Sequence, residues 1–223
     1  MSVLLHHEMD RLKKSILTLG AAVEDGLRQA VKALQEKDEK IAQTVIESDH
    51  EIDTMEVDLE EECLKLLALH QPVATDLRFI VAVLKINNDL ERIGDLAVNI
   101  AERARFLAYK PPVTVSLDFS SMADAVQKML KKSLDALVNM DEKLACEVID
   151  TDDQVDSMNR NMYQQIQKAV ADKPDQIESL IHLLSTSRHL ERIADQTTNI
   201  AEDVIYMIQG KIVRHKTEDY RQK

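Results

Sequence analysis

Apolar side chains recur at steps of three and four residues along unusually long runs, and this spacing limits what the chain can fold into more than any other feature. Met9, Leu12, Ile16, Leu19, Val23, Leu27, Ala30 and Leu34 draw one stripe down a first helix. A polar break at 36–40 offers Asp38 as an N-cap, and a second stripe follows through Ile41, Val45, Ile52, Met55, Leu59, Cys63 and Leu66, ending near His70. Gln71-Pro72 interrupts it, because proline restricts the residue before it. A third stripe runs by Leu77, Ile80, Val83, Ile86, Leu90, Ile93, Ala97, Ile100, Ala104 and Leu107. With only four glycines and four prolines in 223 residues, the chain lacks the turn-forming residues that a many-stranded sheet needs. It is expected to be all-α.

The plan repeats. Further helices are expected at about 120–140, 142–170 and 174–209, the last stopped by Gly210. LERIGDLAVNIAE at 90–102 matches LERIADQTTNIAE at 190–202 in nine of thirteen positions, at an offset of 100. Upstream, 38–55 and 141–158 agree in nine of eighteen at an offset of 103. The expected architecture is two tandem three-helix antiparallel bundles from an internal duplication, 1–110 and 111–210, with a C-terminal tail at 211–223.

The chain is acidic, with 40 Asp and Glu against 28 Lys and Arg and a net charge of −12. That disfavours nonspecific nucleic-acid binding. The longest uninterrupted apolar run, 79–84, is far too short to span a membrane, and no leader pattern opens the chain, so a cytoplasmic protein without membrane insertion is expected. Cys63 and Cys146 lie near the apolar stripes without ligand spacing and read as inert thiols; Met55 and Met158 read as core filler.

Chemistry concentrates in the repeated blocks. Each carries an acid-x-x-x-Asp pair: Asp49 with Asp53 and Asp152 with Asp156 on the middle helices, Glu91 with Asp95 and Glu191 with Asp195 on the third helices. Residues four apart share a helix face. Folding back at the Pro72 turn sets Asp49 level with about residue 94 and Asp53 with about residue 90; a turn near 173 sets Asp152 and Asp156 level with about 194 and 190. Each half therefore assembles four carboxylates. Asn99 and Glu102, and Asn199 and Glu202, extend the third-helix rows. Oxygen donors without thiolate select hard or borderline ions such as magnesium, calcium, manganese or iron, and four or more carboxylates could bridge several divalent or trivalent ions.

A surface salt-bridge network is the competing explanation, since Arg92, Arg188 and Arg192 each stand three residues before an acid of the motif. Four such pairs, level in two copies, favour metal binding. Glu47-x-x-His50 has the spacing of di-iron bundles, but its repeat reads Asp150-x-x-Asp153, which leaves a ferritin-like di-iron oxidase as a distant alternative and His50 and His70 as ordinary surface residues. A metal-free helical scaffold with solvated acid rows is the other alternative. No nucleophile beside a base, glycine-rich phosphate loop or cofactor fingerprint is present, so no enzyme is expected. Uncovered bundle faces leave room for a homodimer.

The ERIGDLAVNIAE and ERIADQTTNIAE blocks, the DHEID and DDQVD segments and HQPVATDLR at 70–78 together resemble the PhoU family, accessory regulators of phosphate transport, over nearly the whole chain. The resemblance implies paired three-helix bundles whose acid-x-x-x-Asp motifs hold multinuclear metal clusters, iron among them. It also implies negative regulation of the phosphate-starvation response through contact with a sensor histidine kinase and the phosphate-importer ATPase. The chain departs from the pattern at Gln196, where such proteins often place His after the motif Asp.

Overall fold

A computed structural model of the chain describes residues 3–115 and 117–211. Among them are six long helices and no strand: α1 (Val3–Glu36), α2 (Glu39–His70), α3 (Ala74–Ala108), α4 (Phe119–Asn139), α5 (Glu142–Asp172) and α6 (Ile177–Gln209). The expected tail, apart from residue 211, lies outside the described residues.

The boundaries follow from local chemistry. Asp38 caps α2, its Oδ1 accepting from the backbone N–H groups of Lys40 (2.8 Å) and Ile41 (3.2 Å), and its repeat Asp141 caps α5 by accepting from Leu144 N (3.0 Å). Gln71 turns left-handed (φ 45°) to close α2, its N–H donating to the Leu67 carbonyl at 3.3 Å. Gly210 closes α6 at φ 70°. One expectation is corrected: the sixth helix does not run unbroken from Pro174. Residues Pro174–Gln176 form a separate 3₁₀ turn, closed by Gln176 N to Lys173 O at 3.1 Å, which suits a proline that has no N–H to donate.

The stripes pack as expected within each half, α1 with α2 and α3, and α4 with α5 and α6. The most extensive pairing joins the halves, however: α3 lies antiparallel against α6. Along this seam Arg78 packs on Gly210, Lys85 Nζ meets Asp203 Oδ1 at 3.0 Å, and Phe106 stacks on His182 with ring centroids 3.8 Å apart. The buried apolar side chains form one continuous core through both units, with α3 and α6 at its centre.

Candidate functional site

Each acid cluster forms where the second and third helices of a half face each other. At Gly94 the helices come close: a Cβ there would lie 3.3 Å from Ile52 Cγ2 and 3.9 Å from Asp49 Oδ1. Two turns further, buried Asn87 donates from Nδ2 to the Glu56 carbonyl (2.9 Å) and to Glu56 Oε1 (3.1 Å). Residue 49 opposite 94 and residue 56 opposite 87 are the register that the Pro72 turn predicts. The second half keeps the arrangement with different residues: Ala194 stands for Gly94 and Val155 for Ile52, and Ser187 Oγ donates to Asn159 Oδ1 where Asn87 bonds Glu56.

The structure brings Asp49, Asp53, Glu91 and Asp95 into one electrostatic neighbourhood. Burial, then Asp53 and Asp95, hold the Asp49 carboxyl above the ordinary range. Glu91 is raised by burial, Asp95, Glu56 and Asp53, with Arg92 opposing. Asp152, Asp156, Glu191 and Asp195 form the second neighbourhood. Burial, Asp156 and Asp152 raise Glu191 against Arg188 and Arg192. Asp195 reaches solvent, yet partial burial, Glu191 and Asp156 push it up to about 6 against the pull of Arg192. Asp156 also takes a helical ion pair from Arg160 Nη1 at 3.4 Å.

The four outer residues have contacts of their own. Asn99 Nδ2 turns back to the Asp95 carbonyl at 2.7 Å, and Asn199 Nδ2 lies 3.5 Å from Gln196 Oε1. Glu102 lines an open groove with Glu39, Arg105 and Tyr109, whereas its repeat Glu202 is buried. Glu56, by contrast, belongs to the first cluster and was not anticipated; burial, Glu60 and Asp53 raise its carboxyl. Its spacing, three residues past Asp53, could have found it, but its repeat is Asn159, and a search for repeated acids passes over it.

Oxygen is the only donor type in the quartets, which suits a hard cation. Convergence is another matter. Among the described residues, no three His, Cys, Asp or Glu side chains are arranged to hold a metal ion. The carboxylates are level and mutually repelling but stand apart, so the resting arrangement is a pair of concentrated negative charges rather than closed ligand sets.

Elsewhere, His50 is exposed as expected, but His70 is corrected: its side chain is largely buried, and Nε2 lies 2.7 Å from Glu8 Oε2, tying the end of α2 to α1. Cys63 is buried, its thiol pushed up to about 12, and burial raises Cys146 as well, so both are poor thiolates. No helix among the described residues is long and apolar enough to cross a membrane.

The model of the PhoU domain matches this chain twice, at residues 16–104 and 119–204, the two units that the repeat and the helices define. The chain belongs to the PhoU family. Full-length relatives agree. A phosphate-specific transport system accessory protein PhoU homolog of Aquifex aeolicus is 38% identical over 212 residues, covering 95% of this chain and 96% of the relative. The accessory protein PhoU of Serratia marcescens is 34% identical over 97% of this chain and 89% of its own. The crystal structure of PhoU from Pseudomonas aeruginosa superposes with a TM-score of 0.90 at 35% identity, covering 92% of this chain and 99% of that one. A PhoU from Streptococcus pneumoniae, described as a phosphate transport system regulatory protein, gives 0.84 at 30% identity over 94% of this chain and 99% of that one. The helical duplication and the α3–α6 seam are thus built on a PhoU scaffold.

Proposed function

We propose that this chain is an accessory regulator of a phosphate-specific transport system, acting by association rather than catalysis and carrying two carboxylate clusters as cation sites. The observation that carries the reading is the end-to-end match to accessory proteins of that system, with nearly all of both chains aligned. On this reading the protein is a cytoplasmic negative regulator that represses the phosphate-starvation response by contacting the sensor histidine kinase and the importer ATPase. The cation reading rests on donor chemistry. Eight acids repeat in two level quartets, and four of them, Asp49, Glu91, Glu191 and Asp195, are held above the ordinary carboxylate range first by burial and then by neighbouring acids, a cost that a multivalent cation would relieve. The residues that would hold such an ion are Asp49, Asp53, Glu91 and Asp95 in the first unit and Asp152, Asp156, Glu191 and Asp195 in the second, and a bound cation would supply the positive charge that offsets their repulsion.

Two measurements test the two parts separately. Deleting the gene in its host should switch on a phosphate-starvation reporter at high external phosphate, and the wild-type chain should silence it; a reporter indifferent to the deletion overturns the regulatory reading. Elemental analysis of protein purified without chelator should find iron, manganese or magnesium that an Asp53→Ala, Glu91→Ala variant loses. Equal metal content in both proteins removes the cation assignment and leaves a metal-free scaffold.

A further inference from the structure

Three of the four glycines have a use within the fold. A Cβ on Gly20 would strike Leu134 at 2.7 Å, one on Gly94 would press on Ile52 at 3.3 Å, and Gly210 sits at φ 70°. Gly26 has none. It lies in the interior of α1, where glycine is a poor helix former, and nothing would meet its Cβ within 4 Å. It lines a groove of about 320 Å³ between α1 and α2, with Ala22, Val45 and Ile52 among the apolar lining and Asp25 and Glu51 as the charged residues.

The duplication supplies an internal comparison. Between α4 and α5 a second groove is lined by Ala125, Thr151 and Gln154, each 103 residues beyond a lining residue of the first. At that offset Met129 stands in place of Gly26, and it is buried. Met129 lines the second groove, which is about 360 Å³, so the two grooves differ in the bare floor at Gly26 and not in size. Charge differs too. The second groove carries Lys128 and Lys132 beside Asp124, whereas the charged lining of the first is acidic throughout and its helix α2 bears nine acids and no lysine or arginine between Lys40 and Lys65. Asp25 is paired with Arg28, and Glu51 is the other acid of the groove lining, carried on a helix rich in acids.

From this geometry we propose that the α1–α2 groove at Gly26 is a docking site for a cationic amphipathic helix of a partner protein. A bulky apolar side chain of that helix enters above Gly26, and its basic residues face Glu51. Apolar grooves between helices take such helices by their recurring i, i+3, i+4 and i+7 anchors, and the sign of the surrounding charge selects the partner. A second copy of this chain is disfavoured as occupant by its own net charge of −12. The inference goes beyond a role as transport accessory, and its test does not depend on that role.

The probe is a fluorescein-labelled 18-residue peptide of leucine and lysine in amphipathic helical order, titrated by anisotropy into the full chain. Its scrambled isomer and a leucine–glutamate analogue serve as comparisons. Gly26→Met, which installs the residue of the second unit, should weaken binding by about tenfold or more while leaving the melting temperature unchanged or higher. Glu51→Lys should weaken it by about fivefold and flatten its salt dependence. Lys128→Glu, in the other groove, should leave affinity within about twofold. Retained affinity in Gly26→Met, equal binding of the scrambled peptide, or an equal loss in Lys128→Glu overturns the proposal. So does a wild-type dimer in sedimentation that Gly26→Met dissociates, since the groove would then belong to a second copy.

Discussion

Lys85 Nζ lies 3.0 Å from Asp203 Oδ1 and 5.1 Å above the Tyr206 ring, so one lysine of the first unit grips two residues of the second. The Asp203 side chain is only 3% exposed, and the positions that repeat this pair hold Ser185 and Arg103, so the duplication does not supply a second copy of it. Removing the ammonium while keeping a buried carboxylate is the costly way to break such a pair. Lys85→Met should destabilise the protein by about 2 kcal/mol, read as a lower urea midpoint at unchanged m-value. Lys85→Met with Asp203→Leu should recover most of that loss; a double variant no better than the single one would show that the lysine acts through packing on Tyr206 instead.

The close approach at Gly94 gives a test of the cluster's geometry. An added methyl would sit 3.3 Å from Ile52 Cγ2, tight enough that Ile52 must yield. The second unit accommodates Ala194 opposite Val155, one methylene smaller. Gly94→Ala alone should therefore cost about 1 kcal/mol, its gain in helix propensity outweighed by overpacking. Combined with Ile52→Val it should cost less than the sum of the two single changes, a coupling that a double-mutant cycle in urea measures directly. Additive values would mean that α2 and α3 adjust freely, and that glycine is not what sets the spacing of Asp49 from the Glu91 row.

Helix positions and the register of α2 on α3 were legible because they depend on local signals: the Asp38 cap, the Pro72 turn and the 3.6-residue stripe. The Asp49, Asp53, Glu91 and Asp95 grouping followed from that register. What the sequence concealed depends on contacts between halves. Nothing in the spacing of α3 says that Lys85 meets Asp203, because the partner lies 118 residues away and its repeat is not acidic. The same asymmetry separates Glu102 from Glu202: identical letters at an offset of 100, one lining an open groove and one buried, since the two units pack on α3 and α6 without strict symmetry. Glu56 was hidden for the opposite reason, being an acid in one copy only.

Gly26 offers the simplest stability prediction. Alanine there would meet nothing within 4 Å, so no steric term opposes the gain in helix propensity. Gly26→Ala should stabilise by about 0.5–1 kcal/mol, raising both the thermal and the urea midpoint. A loss would mean that α1 needs the glycine for its own path, which would remove the reason for reading the open groove as a docking feature.

The second cluster makes a prediction whose sign is opposite to that of an ordinary paired carboxylate. Asp195 titrates at about 6 in the folded chain against an ordinary value of 3.8, raised by burial, Glu191 and Asp156. Between those two pH values the folded state holds more protons than the unfolded one, so stability falls as pH rises through the window, and the full penalty is present above 6. Asp195→Asn removes the charge and should stabilise chelator-treated protein at pH 7 by about 1 kcal/mol, a figure reduced for the solvent that reaches this side chain. The gain should shrink as pH falls through 6 and vanish near 4. His189 slopes the other way: burial, Arg103, Arg192 and Arg188 lower it to about 4 from 6.5, so its contribution is lost as pH falls across that range. Because wild type and variant share His189, it cancels in the difference between their urea midpoints at pH 4, 5, 6 and 7. A difference that stays flat with pH would show that Asp195 does not share a crowded field with Glu191 and Asp156.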